Sequence, residues 1–274
     1  MTDRVWLIGD DAGVAERLDA WISDAGSPCE RLTSREAVSR LTDGGGPIKA
    51  AVVDAGDDGH AVLALLEALG RRCKTTVLLV DAECYREIAA ALAAGIGTFL
   101  RKPVEPAALA AALTVEGRAE RPGSGRFLFR TLDDVLDLSQ LVAGLCPDPA
   151  AVEIGLSELM LNAVEHGNLG IGFERKGHLM NAGTWRQELE RLLRLPENLV
   201  RFGYLDVELR GDGVRFKVLD QGSGFDPQPY MNFNPERSVE LHGRGIAIAR
   251  MLAFPDLHFR EEGSCVEGLV RRVC

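Results

Sequence analysis

Short apolar runs alternate with amphipathic stretches through the first 118 residues. Apolar runs predict buried strands at 5–8, 50–53, 75–80 and 98–100, and helical spacing predicts helices at 12–25, 60–70, 84–94 and 104–117. A weaker strand and helix fill 29–42. Repeated βα units of this length predict an α/β domain with a doubly wound, five-stranded parallel sheet over 1–118.

A polar segment rich in Gly and Pro at 119–126 predicts an interdomain linker. Strands paired in hairpins, with helices grouped apart from them, predict an α+β two-layer sandwich over 127–274. The predicted elements are strands at 127–130, 200–210, 213–220, 256–261 and 265–273, and helices at 132–145, from 149 onward, at 170–198 and at 244–253.

The helix that begins at Pro149 carries a row of polar residues beside its apolar face. Glu158, Asn162 and His166 are each four residues apart, so a carboxylate, an amide and an imidazole lie along one side. Such a row suits a polar ligand, because desolvated polar groups without partners cost free energy. The alternative is a half-exposed helix whose solvent face happens to be polar.

Composition restricts the partners. The 274 residues carry a formal net charge of −10, which argues against nucleic acid, since phosphate backbones bind basic surfaces. The six cysteines form no CxxC or Cys/His cluster, as expected of reduced thiols. The N-terminus lacks the pattern of a secretory signal, and no apolar run approaches the roughly 20 residues that span a bilayer. We therefore expect a cytoplasmic protein without a membrane partner.

Acidic residues follow several predicted parallel strands, whose carboxyl ends meet at one edge of the sheet. Asp10 and Asp11 follow the first strand, Asp54 the second and Asp81 the third, while Lys102 follows the last. Converging carboxylates repel one another unless a cation lies among them. The set therefore predicts a magnesium-assisted phosphoryl acceptor in which two acids hold Mg²⁺ and the lysine pairs with the oxyanion.

On these residues, 1–118 resembles the receiver domain of bacterial response regulators. The resemblance implies that Asp10, Asp11 and Asp54 bind Mg²⁺, that Asp54 is the phosphorylation site, and that Lys102 is the receiver lysine. It also implies a cis bond before Pro103 and places Phe99 at the aromatic switch position.

Asp81 departs from the receiver pattern, because it stands where the family has Ser or Thr. A carboxylate there would repel a phosphoryl group. A degenerate receiver that serves as a docking or dimerising module, with the chain as a homodimer, is therefore the alternative to an active phosphoacceptor.

Two glycine-rich segments flank the region between the second hairpin strand and the helix at 244–253. In 219–225, Asp220 ends a strand and glycines follow it, which lets the backbone approach a ligand closely. In 242–246, glycines precede a helix, where freed amides suit phosphates. Either segment alone is compatible with a plain turn.

Together with the polar row, these segments make 127–274 resemble the ATP-binding domain shared by gyrase, heat-shock chaperone, histidine kinase and mismatch-repair ATPases. The row is most similar to the serine/threonine kinases that act as anti-sigma factors. The resemblance implies that Glu158 is the catalytic base, that Asn162 holds Mg²⁺ on ATP, and that Asp220 binds adenine. The remaining ATP-binding positions that it implies are His166, Gly222, Gly224, Gly243, Arg244 and Gly245. Residues 226–241 would form a lid containing Arg237.

The expected function is that of a bacterial signalling regulator with ATP and Mg²⁺ as cofactors. It would phosphorylate a Ser or Thr of an anti-anti-sigma-like protein partner, gated by the receiver, with an upstream histidine kinase as a second partner. The helix at 132–145 contains no histidine, which disfavours a histidine kinase core. The alternative is a non-catalytic, nucleotide-sensing module that sequesters a partner.

Overall fold

The structure, a computed structural model, describes residues 2–43, 48–54, 59–70, 72–81, 85–114, 123–231 and 243–272. Internal contacts divide the chain into two compact units, Met1–Leu128 and Phe129–Cys274.

The first unit contains the predicted parallel sheet. Its strands follow the spatial order β2-β1-β3-β4-β5, and every neighbouring pair is parallel. Their bounds are β1 Thr2–Ile8, β2 Cys29–Leu32, β3 Ile48–Asp54, β4 Cys73–Val80 and β5 Thr98–Arg101. The central strands β3 and β4 contain buried apolar runs at 50–53 and 77–80, as expected of a sheet that is covered on both faces.

Five helices connect these strands. Helices α1 and α5 contact each other, whereas α2 contacts α3 and α3 contacts α4, so the helices form two groups. Thr33 caps α2 through a reciprocal pair of hydrogen bonds with Glu36. The bounds are α1 Ala12–Asp24, α2 Ser34–Thr42, α3 Gly59–Gly70, α4 Tyr85–Ala93 and α5 Pro106–Thr114. The doubly wound α/β prediction is confirmed.

A sixth strand extends the sheet of the first unit and corrects the linker prediction. Strand β6, Ser124–Phe129, pairs in parallel with β5, so the polar segment at 119–126 ends in regular structure. Phe127 is fully buried and stacks on Phe99 with ring centroids 4.4 Å apart. The stacking explains why 124–126 is ordered despite its composition, because burial of an aromatic ring outweighs the weak strand preference of Ser and Gly. Residues 115–122 lie outside the described part of the chain.

The second unit is an antiparallel sheet with helices packed as a separate layer. The strands follow the order β7-β8-β10-β9, and α7 contacts both α6 and α10. The bounds are α6 Leu132–Ala143, α7 Pro149–Asn162, β7 Gly203–Arg210, β8 Gly213–Leu219, α10 Gly245–Leu252, β9 His258–Arg260 and β10 Cys265–Arg271. The α+β two-layer prediction is confirmed.

The single amphipathic helix predicted for 170–198 is wrong. Two helices occupy this region, α8 Phe173–Asn181 and α9 Trp185–Leu193, followed by a 3₁₀ turn at Pro196–Asn198. Gly183, between them, has a φ of +69°, which a right-handed helix cannot include. Across the described ranges of both units, no helix combines the length and the apolarity needed to cross a membrane.

Phe127→Ala should destabilise the first unit, because the substitution leaves a cavity beside Phe99. We expect a loss of about 3–5 kcal/mol, the usual cost of truncating a buried Phe. Hydrogen exchange of the β5 amides measures it. Leu136→Ala, at a side chain that is 58% exposed on α6, is the matched control and should change stability by less than about 0.5 kcal/mol. Unchanged exchange in β5 would mean that β6 contributes nothing to this unit.

Candidate functional site

The polar row of α7 continues into a π-helical turn, Ala163–Asn168, that the sequence did not predict (the π turn). Glu158 and Asn162 lie on the regular helix, and His166 lies within the π turn. Nδ1 of His166 lies against the carbonyl oxygen of Ile171. Because a carbonyl only accepts, Nδ1 must carry the proton of this hydrogen bond. The wider π turn changes the direction of the side chains that follow Asn162, as such turns often do at functional sites.

The Asp220 loop lies directly on the π turn. The amide of Gln221 donates to Oδ1 of Asn168 at 2.9 Å, and the amide of Gly222 donates to Oδ1 of Asp220 at 2.8 Å. A Cβ on Gly222 would lie 2.6 Å from the carbonyl oxygen of Gly167, and one on Gly167 would overlap the Asp220 carboxyl. Both positions therefore require glycine, for close approach rather than for turn geometry.

The second glycine segment begins helix α10 beside the row. Gly243 has a φ of +82°, Arg244 is the N-cap residue and Gly245 is the first residue of the helix. A Cβ on Gly245 would overlap the Glu158 carboxyl and lie 3.5 Å from Nδ2 of Asn162. The amide-rich start of α10 and the two polar side chains of α7 therefore face the same space.

A single cavity of about 1040 Å³ joins these features. All nine residues expected to act on ATP in the second unit line it: Glu158, Asn162, His166, Asp220, Gly222, Gly224, Gly243, Arg244 and Gly245. The predicted lid residues 232–241, with Arg237, lie outside the described residues, as does His242. The arrangement offers backbone amides, two carboxyl groups and one carboxamide to a polar ligand.

The two carboxyl groups of the cavity are poorly solvated. Burial raises the pKa of Glu158, the positive charge of Lys176 lowers it, and the negative charge of Glu165 raises it again. Burial also raises the pKa of Asp220, against the hydrogen bond from the Gly222 amide, which lowers it. Each carboxylate is therefore destabilised in its charged form until a cation or a hydrogen-bond donor reaches it.

Sequence reasoning missed several residues that line the cavity. Lys176 and Trp185 come from α8 and α9, and both contact the buried carboxylate of Glu165 in the π turn. The side chain of Asn168 supports the Asp220 loop. The signal that could have located Glu165 is its place on the buried side of an apolar helix, since a buried carboxylate requires partners.

The acidic residues of the first unit have separate hydrogen-bonding partners. Asp11 caps α1 by accepting from the amides of Gly13 and Val14, and these two bonds lower its pKa. The hydroxyl of Ser34 donates to Asp10 at 3.4 Å. Within the described ranges, no group of three or more His, Cys, Asp or Glu side chains is arranged to hold a metal. Binding of Mg²⁺ by Asp10, Asp11 and Asp54 stays a prediction.

Lys102 is shared between two carboxylates. Its Nζ lies 2.8 Å from Oδ1 of Asp54 and 2.8 Å from Oδ2 of Asp81. Burial lowers the pKa of Lys102, but the hydrogen bonds to Asp54 and Asp81 raise it to about 12. The Lys102–Pro103 bond is cis, as expected. Asp81 thus holds the lysine that the predicted phosphoryl group on Asp54 would need.

Comparison with known proteins finds a family that is similar to the second unit. Residues 134–267, just under half of the chain, match the family profile described as "Histidine kinase-like ATPase domain". The comparison with curated proteins returns no match.

Several solved structures are similar to the chain. They include Vibrio cholerae chemotaxis protein CheY4, with 17% identity and a TM-score of 0.36 over 42% of this chain and 99% of that one. The signal receiver domain of a Syntrophus aciditrophicus signal transduction histidine kinase has 22% identity and a TM-score of 0.35 over 40% and 86%. Full-length FixJ from B. japonicum has 18% identity and a TM-score of 0.37 over 73% and 95%.

The fold of the first unit rests on its own strand order rather than on these scores. The parallel order β2-β1-β3-β4-β5, with helices in two groups, is the flavodoxin-like doubly wound arrangement that receivers share. The chain therefore joins a flavodoxin-like α/β unit to an α+β unit that is similar to the histidine kinase-like ATPase domain.

Proposed function

We propose that the protein is a bacterial signalling regulator whose second unit binds Mg-ATP and phosphorylates a Ser or Thr of an anti-anti-sigma-like partner. The observation that carries the proposal is the convergence of nine expected residues, from three separate segments of the sequence, on one cavity. The receiver-type unit would gate this activity.

The cavity residues fit ATP and Mg²⁺. Asn162 offers a carboxamide oxygen as a metal ligand, and Asp220 offers a carboxylate to the adenine amino group. Gly222 and Gly245 allow the Asp220 loop and the start of α10 to pack closely against the π turn and Glu158, and the start of α10 offers amides to phosphate. Bound Mg²⁺ would supply positive charge on the phosphate oxygens.

Glu158 suits the role of catalytic base. In the transfer, the substrate hydroxyl oxygen forms a bond to the γ-phosphorus, the bond from that phosphorus to the bridging oxygen of ADP breaks, and the hydroxyl proton passes to the Glu158 carboxylate. Burial raises the pKa of this carboxyl, which improves it as a base.

A second candidate function is a non-catalytic nucleotide sensor that sequesters its partner, with the first unit as a docking arm. The observation that favours it is the pairing of Lys102 with Asp81, because this carboxylate would compete with a phosphoryl group for the lysine.

Calorimetric titration with ATP, with and without Mg²⁺, tests the binding. We expect binding that depends on Mg²⁺ and that Asn162→Ala weakens by about tenfold or more, as expected for loss of a ligand to a charged group. Asn181→Ala, at an exposed residue outside the cavity lining, is the control and should bind as the wild type does. Absence of any binding in the wild type would reject the proposal.

Transfer from γ-labelled ATP to purified anti-anti-sigma-type proteins separates the two candidate functions. Glu158→Gln should bind ATP but transfer phosphate at least about 100-fold more slowly, the usual contribution of a general base. Equal transfer by this variant would remove Glu158 from the chemistry. Binding without transfer by the wild type, with every partner tried, would favour the sensor.

Glu158→Gln should also stabilise the ligand-free protein at neutral pH. Because the folded state raises the pKa of Glu158, it binds the proton more tightly than the unfolded chain does. The folding stability that Glu158 contributes is therefore lost as the pH rises from the ordinary pKa of Glu, in the unfolded chain, through the raised pKa of the folded state. Thermal unfolding from acidic to neutral pH should show a midpoint gain only at the neutral end. Glu153→Gln, on the same helix but outside the cavity lining, is the control. An equal gain at every pH would contradict the electrostatic cause.

Asp81→Thr should increase phosphoryl uptake on Asp54 from acetyl phosphate. The substitution removes a negative charge and releases Lys102 from one of its two carboxylates. A unit charge a few ångströms away contributes on the order of 1–4 kcal/mol, so uptake should rise by about tenfold or more. Intact-mass spectrometry measures it, with Asp43→Asn as the surface control and Asp54→Asn as the blank. Wild-type uptake equal to that of Asp81→Thr would show that Asp81 is no barrier.

A further inference from the structure

Helices α8 and α9 form a wall of the cavity that the proposed chemistry does not use. We refer to residues 173–193 as the α8–α9 segment. Phe173, Lys176, Met180, Trp185 and Leu192 of this segment all line the cavity. The segment lies between the π turn and β7 in sequence, outside the two glycine segments and the polar row.

Glu165 joins the segment to the π turn. Its side chain is completely buried, and it accepts hydrogen bonds from Nζ of Lys176 on α8 and from Nε1 of Trp185 on α9. The Lys176 side chain is itself only 13% exposed. A buried carboxylate is tolerated only with such partners, so both helices must stay in place for Glu165 to keep its two hydrogen bonds.

The π turn connects Glu165 with the ligand-facing loop. Gly167 and Asn168, two and three residues after Glu165, contact Asp220 and Gln221. Asn168 is 3% exposed, and its carbonyl oxygen accepts from Nη1 of Arg201 at 3.0 Å. This turn is therefore fixed on one side by the α8–α9 segment and on the other by the Asp220 loop.

Phe173 attaches the beginning of the segment to the second glycine segment. A Cβ on Gly243 would lie 2.5 Å from Cε2 of Phe173, and the rings of Phe173 and Tyr230 are 6.0 Å apart. The α8–α9 segment thus contacts parts of the cavity at both of its ends.

We propose that Glu165 is a positioning residue of the nucleotide site. Through Lys176 and Trp185 it holds the α8–α9 segment against the π turn. Binding of a nucleotide in the cavity and the position of this segment are therefore coupled. The inference rests on the proposed nucleotide binding. It concerns atoms that need not touch the nucleotide, since Glu165 has no exposed surface.

Tryptophan fluorescence provides the test, because Trp185 is the only tryptophan of the second unit. In the full chain, Mg-ATP should change the emission. Trp185→Phe should abolish that change and should also weaken, without abolishing, the binding seen by calorimetry, because Glu165 loses one of its two donors. Glu165→Gln should weaken Mg-ATP binding by about tenfold and remove the emission change, because Lys176 loses its charged partner.

A double variant separates positioning from general stability. Glu165→Gln with Lys176→Met removes both charges and retains an acceptor for Trp185, so Mg-ATP affinity should return to within about threefold of wild type. Glu190→Gln is the matched control, since that carboxylate is exposed on α9 and pairs only with Arg186 and Arg194 among the described ion pairs.

Three outcomes would overturn the proposal. The first is wild-type affinity for Mg-ATP in Glu165→Gln. The second is a tryptophan emission that Mg-ATP does not change although calorimetry detects binding. The third is a double variant as weak as Glu165→Gln, which would show that the unpaired charge of Lys176 is not what weakens binding. Failure of the proposed function has a different signature, because the wild type would then show no calorimetric binding.

Discussion

The cavity of the second unit depends on the close approach of three backbone segments, and glycine permits each approach. Gly167 and Gly222 bring the Asp220 loop onto the π turn, and Gly245 brings the start of α10 onto Glu158. A methyl group at any of these positions would overlap a backbone or carboxyl atom. The site is therefore shaped by missing side chains as much as by the polar residues that face the ligand.

This packing places carboxyl groups where water cannot fully solvate them. Burial raises the pKa of both Glu158 and Asp220, and Lys176 offsets part of that effect at Glu158. Buried charges need partners. The carboxylate of Glu165, in the π turn, has such partners within the chain, because it accepts hydrogen bonds from Lys176 and Trp185. Glu165 is thus a structural carboxylate, whereas Glu158 and Asp220 face a cavity in which a ligand supplies the missing interactions.

In the first unit, by contrast, the acidic residues have partners within the chain. Lys102 lies 2.8 Å from both Asp54 and Asp81, and Asp11 is engaged in capping α1. These carboxylates have partners from within the chain, so a phosphoryl group on Asp54 must compete with Asp81 for the lysine. The two units therefore differ. The second unit presents polar groups to a ligand, whereas the lysine of the first unit is paired with carboxylates of the same chain.

The sequence alone determined the elements whose pattern is local. Alternating βα units predicted the parallel sheet, and the spacing of Glu158 and Asn162 with two glycine segments predicted the residues that meet in the cavity. It predicted a strand at 127–130 but could not predict that β6 begins at Ser124, because Ser124 and Gly125 become strand only through the stacking of Phe127 on Phe99.

Only the tertiary structure decided the rest. The role of Glu165 arises from contacts with residues 11 and 20 positions away, Lys176 and Trp185, which no local periodicity encodes. In the sequence, such a carboxylate cannot be distinguished from any other polar residue of a helix, since desolvation and pairing are properties of the packed chain.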